Sequence, residues 1–265
     1  MRQNHAKQRH ENRADQVKKI DIFGLKICEI IHLDDDRQCC GKYRQYRPQR
    51  PHRKLRRKAV AAAAAGLVPV PFEGAQVLLV PGLSIEGEVP EVMRGEEVQI
   101  VGALAQMGRD AVACLPGSHS KWARIAGGRI EGFTTHLTGE AFAALRDHTI
   151  LGRLIQPGAV PDLDAFARGV GRSADPGGLL YHLFGVRTLG LFGRLADAES
   201  YLSGLLIGHE VRAAAPPGPV HLIGAPALCA LYARAITQCG GSTVLVGEDA
   251  AAQGLAIIAE HAQWT

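Results

Sequence analysis

The sequence has little that would place it in a membrane or on an export route. None of its apolar runs reaches the ~18 to 20 residues that a helix needs to cross a bilayer. The longest apolar stretch, Ala59 to Val70, is interrupted by Gly66 and Pro69 and lies far from the N-terminus, so it is not a secretory signal either. These absences argue against a membrane partner and predict a cytoplasmic protein.

The cysteines lack the spacing of a metal site or of a disulfide framework. They are Cys28, Cys39, Cys40, Cys114, Cys229 and Cys239. No CxxC pair occurs, and two adjacent cysteines suit neither a zinc site nor an easy disulfide. We therefore expect reduced, incidental thiols, as in other intracellular chains of this size.

Signature motifs of two common enzyme classes are also missing. The G-x-x-x-x-G-K-[ST] phosphate loop does not occur, so that mechanism is excluded. Ser118 and Lys121 have the S-x-x-K spacing of penicillin-recognising acyl enzymes, but the S-D-N and K-T-G elements of those enzymes are absent. Ser118 does not lie in a G-x-S-x-G elbow, which argues against a hydrolase.

Charge divides the chain into a basic head and an acidic body. Residues 1–58 hold 17 Lys and Arg against 7 Asp and Glu, whereas the other 207 residues hold 13 against 19. The head has the low hydrophobicity and high charge of a segment that cannot bury itself, apart from Ile20 to Leu33, which predicts a short element. The head therefore predicts a disordered or non-native tail, with a nucleic-acid-binding patch as the alternative.

From Ala59 onward the pattern is that of a regular mixed α/β protein. The predicted strands are Gln76 to Val80, Ala111 to Leu115, Lys121 to Ile125, Arg129 to Phe133, Val220 to Ile223 and Thr243 to Val246. The predicted helices are Glu97 to Met107, Glu140 to Leu154, Gly178 to Phe192, Ala198 to Ala214, Pro226 to Cys239 and Ala250 to Glu260. The pair Gly127-Gly128 indicates a hairpin, which argues against a purely parallel sheet.

The first of three polar segments that interrupt this pattern is Pro90 to Glu97. It ends in two carboxylates, Glu96 and Glu97, at a predicted helix N-terminus, where the helix dipole favours negative charge. First-turn capping explains them simply. The alternative is a general base that accepts the proton of a hydroxyl as it attacks a phosphoryl group.

The second polar segment is Leu115 to Trp122, between two predicted strands. Gly117 lets the backbone approach a ligand closely, and the hydroxyls and N–H groups that follow form a concavity of the kind that binds anions. Lys121 adds a positive charge. A plain turn would explain Pro-Gly-Ser, but not the whole polar string.

The third segment is Leu222 to Leu228, a strand that runs through a turn of small residues into a helix. This geometry presents backbone to a flat or anionic ligand at the carboxyl end of the strand. Tight packing between strand and helix would select the same small residues.

Six strings, taken in chain order, carry a family resemblance. They are VPGLS (Val80 to Ser84), VMRGEE (Val92 to Glu97), LPGSHSKW (Leu115 to Trp122), LTGE (Leu137 to Glu140), YLSGLLIGHE (Tyr201 to Glu210) and LIGAPAL (Leu222 to Leu228). The chain resembles 2-dehydro-3-deoxygalactonokinases, almost continuously from Ala59 to Glu260. The resemblance implies ATP- and Mg²⁺-dependent phosphorylation of the 6-hydroxyl of 2-dehydro-3-deoxy-D-galactonate during galactonate breakdown. It also implies RNase H-like α/β lobes of the sugar-kinase, hexokinase and actin type.

The resemblance assigns roles to residues by position. Glu96 is implied as the catalytic base, with Glu97 as its rival. The other implied residues are Gly117, Ser118, His119, Ser120 and Lys121 for phosphate, Gly224, Ala225 and Pro226 for the nucleotide, and Arg94, Thr138 and Glu140 for the sugar acid, which needs a cation and hydroxyl partners. Gly247 to Ala251 and Gly254 resemble the family's link between the last strand and the closing helix. A homo-oligomer is compatible with these features.

One family element is missing. The resemblance implies a first strand followed by an Asp-x-Gly-Thr loop that holds Mg²⁺ and phosphates, but Asp21 to Gly24 has the wrong spacing and no hydroxyl. We therefore expect a head (1–58) that reads like a misplaced start, a remnant of the N-terminal lobe (59–92) and a C-terminal kinase lobe (93–265). We also expect weak activity, because phosphoryl transfer depends on charge neutralisation. The rival functions are a catalytically dead sugar-acid binder and a nucleic-acid binder.

Overall fold

The structure is a computed structural model. It describes residues 66–155, 160–214, 218–247 and 249–264, together with the backbone of two short strands at 20–22 and 25–27. The rest of the basic head, with its three cysteines, lies outside the described residues. The chain divides into two compact units, Met1–Pro51 with Pro69–Leu78 and His52–Val68 with Leu79–Thr265.

In the first unit, strands β1 (Ile20–Ile22) and β2 (Leu25–Ile27) form an antiparallel pair. Both lie within the stretch from Ile20 to Leu33, for which the sequence predicts a short element. Most of a second two-stranded sheet, formed by β3 (Val68–Val70) and β4 (Val77–Leu79), also belongs to this unit.

The second unit contains the remaining strands and all the described helices. Its strands are β5 (Leu83–Ile85), β6 (Glu91–Met93), β7 (Ala111–Leu115), β8 (Ser120–Ala126), β9 (Arg129–His136), β10 (Pro219–Leu222) and β11 (Ser242–Leu245). Its α-helices are α1 (Glu96–Met107), α2 (Thr138–His148), α3 (Leu163–Arg172), α4 (Gly178–Leu191), α5 (Ala198–Ala214), α6 (Pro226–Gln238) and α7 (Ala250–Glu260). A 3₁₀ turn, Gly152–Leu154, follows α2.

A mixed five-stranded sheet organises this unit. Its order is β11-β10-β7-β8-β9, with β11, β10 and β7 parallel and the β7-β8-β9 meander antiparallel. The β8–β9 hairpin turns at Gly127 (φ 58°) and Gly128 (φ 75°), a left-handed pair that glycine adopts without strain. The predicted mixture of hairpin and parallel strands is confirmed.

Helices cover both faces of this sheet. Successive residues of a strand point to opposite faces, so alternate residues of β7 and β8 pack against different helices. Ala113, Leu115 and Ala123 belong to the cluster formed with α1 and the start of α7. Cys114 and Trp122, their neighbours along β7 and β8, belong instead to the cluster formed with α3, α5 and α6. The sheet is therefore the middle layer of three.

Helices α1 and α7 approach each other through two glycines. A β-carbon at Gly102 would lie 1.9 Å from Ala250 O, and one at Gly254 would lie 1.9 Å from Val98 O. Neither position has room for a side chain. This contact fixes the helix that begins at Glu96 against the closing helix of the unit.

Most predicted elements are confirmed to within a residue or two, but one prediction needs correction and four described elements have no predicted counterpart. The helix predicted over Glu140 to Leu154 ends at His148, where Thr149 is extended and its hydroxyl donates to Leu145 O. Helix α3 (Leu163–Arg172) is not predicted at all, and nor are strands β3, β5 and β6. None of the described helices combines the length and apolar character needed to cross a membrane.

Candidate functional site

Three turns lie together where the parallel strands end. Leu115, Leu222 and Leu245 are the last residues of β7, β10 and β11. Hydrogen bonds from Ile223 N to Cys114 O (3.0 Å) and from Val246 N to Leu222 O (2.9 Å) continue the pairing beyond the strands. The carboxyl edge of parallel strands is the usual ligand-binding edge of such a sheet.

The Gly224 turn lies directly against the β7–β8 connection. Gly224 has φ 144°, and a β-carbon there would lie 3.6 Å from Pro116 O. Ala225 caps α6 and Pro226 is at its start, with its ring in the first turn. Two segments singled out in the sequence, Leu115–Trp122 and Leu222–Leu228, are thus brought together.

The start of α2 packs on the same connection. Glu140 N donates to Ser118 O (3.0 Å), and the His119 ring hydrogen-bonds the Glu140 carboxylate. A β-carbon at Gly139 would lie 2.5 Å from Gly117 O, so only glycine permits this approach. The His119 and Glu140 side chains are 50% and 57% exposed. Glu140, predicted to contact the sugar acid, is therefore engaged with His119.

A cavity of about 380 Å³ opens beside this connection. Four helices, α2, α3, α5 and α6, form its walls. Its lining residues are Gly117, Ser118, Thr138, Gly139, Phe142, Pro161, Leu163, Phe166, Asp197, Glu199, Ser200, Ser203, Leu206, Ile207, Leu228, Leu231 and Tyr232. Three predicted site residues, Gly117, Ser118 and Thr138, are among them. The cavity is mainly apolar with a few polar groups, which is the common composition of a small-molecule site.

Four polar residues of the cavity lining, Asp197, Glu199, Ser200 and Ser203, cluster at the start of α5. Asp197 accepts hydrogen bonds from the Ser200 hydroxyl (2.6 Å) and from the backbone N–H of Glu199 (2.9 Å). Burial acts to raise the pKa of Asp197, but these hydrogen bonds outweigh it and hold the pKa below its ordinary value. Asp197 is therefore an ionised acceptor at neutral pH.

Behind the cavity, the second half of the β7–β8 segment belongs to a buried hydrogen-bond network. Trp122 Nε1 donates to Glu210 Oε1 and Tyr232 Oη donates to Glu210 Oε2, both at 2.7 Å. Ser120 Oγ lies 2.7 Å from Tyr232 Oη. Burial, with Glu210 nearby, raises the pKa of Tyr232, so its hydroxyl stays protonated. The Ser120 hydroxyl, predicted to bind phosphate, is fully buried and points into this network.

Lys121 points to the other face of the sheet and is also buried. Its Nζ donates to Val92 O and to Thr135 Oγ1, both at 2.9 Å. Lys121 is 5% exposed, and its ammonium group is held by these two oxygens. Lys121 therefore ties β8 to the segment that leads into Arg94 and Glu96, so the first and second polar segments are neighbours in space.

The two carboxylates at the start of α1 differ in their surroundings. Glu96 Oε2 accepts from Arg94 N and Glu97 Oε2 accepts from Gly95 N, each at 2.8 Å. Glu96 is half-buried, whereas Glu97 is 3% exposed and its Oε1 has no hydrogen-bond partner. Burial raises the pKa of Glu97, although the backbone N–H groups act against it. Both carboxylates hold the backbone turn that leads into α1, and the Arg94 side chain is exposed.

No metal centre is evident in the part of the chain that the structure describes. Those residues include no group of three or more His, Cys, Asp or Glu side chains placed to hold a metal ion. Glu248 lies outside the described residues, and Asp249 is at the N-cap position of α7 without a capping hydrogen bond from its side chain. The predicted roles of all these site residues stay predictions.

The sequence interpretation missed the far walls of the cavity. Helix α3 supplies Leu163 and Phe166, and α5 supplies Ser200 and Ser203. A signal for α3 is present in the sequence, because Asp162 caps its N-terminus by accepting from Asp164 N and Ala165 N. No comparable signal marks the α5 wall, because which of its residues line the cavity depends on tertiary packing.

Comparison with known proteins places this geometry in a family. The sequence model of the family described as 2-keto-3-deoxy-galactonokinase matches residues 54–258 of this chain. The Rhizobium meliloti (strain 1021) protein DgoK1, by name a 2-dehydro-3-deoxygalactonokinase, is 37% identical over 78% of this chain and 71% of its own length. The Escherichia coli (strain K12) 2-dehydro-3-deoxygalactonokinase is 33% identical over 68% of this chain and 63% of its own length, less than two thirds of that relative.

A solved structure agrees with these relatives. The crystal structure of a Sinorhizobium meliloti protein assigned as a 2-dehydro-3-deoxygalactonokinase superposes with a TM-score of 0.69 at 35% identity, covering 77% of this chain and 71% of that one. The fold and the matches define a carbohydrate kinase. More narrowly, the chain belongs to the 2-keto-3-deoxy-galactonokinase family. Membership of a kinase family implies ATP as the phosphoryl donor.

Proposed function

We propose that this chain transfers the terminal phosphoryl group of ATP to the 6-hydroxyl of 2-dehydro-3-deoxy-D-galactonate, as a cytoplasmic enzyme of galactonate breakdown. The family match over residues 54–258 supports the reaction class and the substrate. The position of the cavity beside the Gly117 connection supports a binding site for the nucleotide. The reduced rate expected without an Asp-x-Gly-Thr loop remains part of the proposal.

The proposal assigns the five-stranded sheet to an RNase H-like lobe of the sugar-kinase and actin type. If β7 to β11 are renumbered 1 to 5 in chain order, their order across the sheet is 3-2-1-4-5. Strands 1, 2 and 3 form an antiparallel meander, and strands 4 and 5 run parallel to strand 1. This order supports the assignment of residues 93–265 to the C-terminal kinase lobe. Residues 59–92 are then the remnant of the N-terminal lobe, and 1–58 the atypical head.

In this proposal the nucleoside occupies the cavity. Its apolar walls, Phe142 on α2 and Leu228 and Leu231 on α6, suit a flat base. The Asp197 carboxylate and the Ser203 hydroxyl supply hydrogen-bonding groups of the kind that ribose hydroxyls need.

The phosphates then lie along the Gly117 connection and the Gly224 turn. Both are backbone turns of small residues at the carboxyl edge of parallel strands, and α6 begins at one of them, so N–H groups and a helix dipole are available to anionic oxygens. His119 adds a side chain whose ring is oriented by Glu140. The Ser120 and Lys121 side chains are buried on opposite faces of the sheet, where their hydrogen bonds fix the end of this connection.

Glu96 is the better-placed base in this proposal. Its carboxylate is half-buried and accessible, whereas that of Glu97 is enclosed. A base must come within hydrogen-bond reach of the hydroxyl whose proton it accepts. Glu97 instead fixes the turn at Gly95 through the backbone N–H. Arg94, exposed on the same turn, is positioned to pair with the substrate carboxylate.

Magnesium is part of the proposal only as the usual companion of ATP, where it neutralises phosphate charge. The described residues do not fit a protein-held metal site, since no three potential ligands converge. We therefore assign no metal ligand and derive no step of the reaction through the ion.

The cavity that ends at Gly117 and Ser118 is the observation that carries the proposal. Its test is to incubate the full chain with ATP–Mg²⁺ and 2-dehydro-3-deoxy-D-galactonate and to follow the phosphorylated sugar acid by mass spectrometry. Phosphorylated product should form, and Glu96→Gln should slow it by ~10² or more because the base is lost.

Glu97→Gln is the matched control, since it alters the adjacent carboxylate, and it should retain a rate within about tenfold of the parent. Binding of ATP and sugar acid without product would instead identify a catalytically dead binder. Equal rates for the parent and Glu96→Gln would remove Glu96 from its role.

A further inference from the structure

Helix α4 is apolar on two opposite sides, although the second unit covers only one of them. On the covered side, Val186 is buried and packs with Leu202 and Leu205 of α5. A helix that is hydrophobic all round is normally buried all round. The uncovered side therefore calls for a partner.

The uncovered side is a regular stripe. Leu180, Phe184, Arg187 and Leu191 are spaced by four, three and four residues, so they align along one face of the helix. Leu180 is 83% exposed, Phe184 63% and Leu191 61%. We call these four residues the α4 stripe.

Two aromatic side chains extend this surface. Tyr181 is 62% exposed beside the stripe, and Phe192 is 74% exposed at its end. Arg172 lies over the Tyr181 ring and Arg194 over the Phe192 ring, at 5.5 and 5.9 Å from the ring centres. The apolar surface therefore has a rim of cations, which is the composition of a protein interface.

The area of this surface is close to what a stable dimer needs. Large apolar side chains carry about 150 to 250 Å² each, so the five exposed ones present roughly 600 to 700 Å². A specific interface buries about 800 Å² on each partner. The largest apolar patch of an ordinary monomer is about 300 to 600 Å², so this patch is large for a surface facing water.

The stripe is also complementary to itself. When two copies pack antiparallel about a two-fold axis, an isologous contact pairs residue i with j and j with i. With the axis midway between Phe184 and Arg187, Leu180 meets the Leu191 position of the second copy and Phe184 meets its Arg187 position. Each guanidinium then faces an aromatic ring rather than the other guanidinium, a favourable cation–π pair. Within the described part of the chain, Arg187 makes no hydrogen bond or ion pair.

We propose that this protein forms a homodimer in which the α4 stripes of two copies pack antiparallel, with Phe184 and Arg187 at the two-fold axis. The inference rests on the shape and chemistry of α4 and does not depend on the proposed reaction. It commits to a second copy of the chain as the occupant of this surface.

Sedimentation velocity of the full chain across a concentration series tests the dimer. The parent should sediment as a dimer at micromolar concentration. Phe184→Lys should raise the dimer dissociation constant at least about 30-fold, because it removes a central contact of 2 kcal/mol or more and places a like charge opposite Arg187 of the second copy. Phe72→Lys is the matched control, because Phe72 is a phenylalanine of similar exposure (58%) outside α4, and it should leave the constant unchanged.

Three results would overturn the proposal. They are a parent that stays monomeric up to about 100 μM, a dimer that Phe184→Lys does not weaken, and a dimer that Phe72→Lys weakens equally. A monomer whose α4 amides are protected from hydrogen exchange until residues 1–65 are removed would show that the chain itself covers the stripe, and this also overturns the proposal.

The orientation has its own test. Mixing the single variants Leu180→Cys and Leu191→Cys under mild oxidation should give a disulfide between the two different variants, identified by mass spectrometry of the linked peptides. Preferential linkage of Leu180→Cys to itself would indicate a parallel pair and contradict the antiparallel arrangement. Arg187→Ala should weaken the dimer less than Phe184→Lys, because it removes the two symmetry-related cation–π contacts but places no like charge at the interface.

Discussion

The two halves of the segment from Leu115 to Trp122 have opposite environments. Gly117, Ser118 and His119 lie at the cavity and at the surface beside it. Ser120 and Trp122 are buried in hydrogen bonds to α5 and α6. A string that looks uniformly polar in the sequence therefore has two parts. Gly117 to His119 form a loop that can bind a ligand, and Ser120 to Trp122 form a strand segment, the anchor, that holds the loop in place.

The reason is the change from loop to strand at Ser120. From that residue the side chains alternate between the two faces of the sheet, and helices cover both faces. Hydroxyl and amine groups in the strand must find protein partners, because burying them unpaired costs free energy. The loop has no such constraint. Substitutions in the anchor should therefore change stability most, and those in the loop should change ligand binding.

The largest effect is expected in the anchor. Glu210→Ala removes the acceptor of two buried donors, Trp122 Nε1 and Tyr232 Oη, and should lower the free energy of unfolding by about 3 kcal/mol or more. Urea denaturation measures this loss. Glu260→Ala, at an exposed position on α7, is the control and should stay within about 0.5 kcal/mol of the parent. A Glu210→Ala protein as stable as the parent would show that the network does not anchor the segment.

The next effect should appear where the start of α2 packs on the loop. Gly139→Ala places a β-carbon 2.5 Å from Gly117 O, so the start of α2 must move away from the loop. Overpacking of this kind costs about 1 to 3 kcal/mol, and binding of a non-hydrolysable ATP analogue should weaken about tenfold or more. Calorimetry with Gly132→Ala, whose β-carbon meets no atom within 4 Å, is the comparison. Equal affinities for the two variants would separate α2 from the site.

In the loop itself, the effect should fall on binding alone. His119→Ala removes a half-exposed ring paired with Glu140, and exposed ion pairs contribute less than about 1 kcal/mol to stability. Affinity for the ATP analogue should fall about tenfold while the urea midpoint stays nearly constant. His148→Ala, another exposed histidine of the described chain, should change neither. A large loss of stability without a loss of affinity would assign His119 to the anchor instead.

The smallest effect concerns pH. Burial raises the pKa of Glu97 above its ordinary value of 4.5, so the folded protein holds a proton there that the unfolded chain releases. Stability therefore falls as pH rises from about 4.5 through the raised pKa. Glu97→Gln removes this dependence, so the variant should gain stability relative to the parent as pH rises across that window.

Urea denaturation at several pH values, with Glu96→Gln as the neighbouring control, measures the difference for Glu97. A parallel pair of curves for the parent and Glu97→Gln would show that the carboxyl titrates alike in the folded and unfolded chain. Such a result would remove the argument that distinguishes the two carboxylates by their burial.

Most of the sheet and its covering helices could be predicted, because local patterns specify them. The hairpin at Gly127-Gly128 and the helix ending at Gly108 follow from glycine positions. Helix α3 was missed despite the capping signal at Asp162, because Gly169 lowers the helix propensity of the segment. A β-carbon at Gly169 would lie 2.2 Å from Tyr201 O, so packing against α5 requires a residue of low helix propensity in the middle of α3.

The site was predictable in part. The segments around Glu96, Gly117 and Gly224 were singled out, and contacts between them are present. The separate environments of Ser118 and Ser120 were not predictable from residue type, since both are serines in one polar string. The cavity walls depend on four helices that are distant in sequence, and no local pattern specifies which side chains of α5 and α6 meet there.

Hydrogen exchange of the full chain with and without a non-hydrolysable ATP analogue and Mg²⁺ tests the central claim most directly. The analogue should slow exchange at the backbone amides of Gly117, Ser118, Gly224 and Ala225, and should leave the anchor strand after Lys121 unchanged. Protection confined to the anchor strand, or no protection at either turn under saturating analogue, would contradict the assignment of the nucleotide to this edge of the sheet.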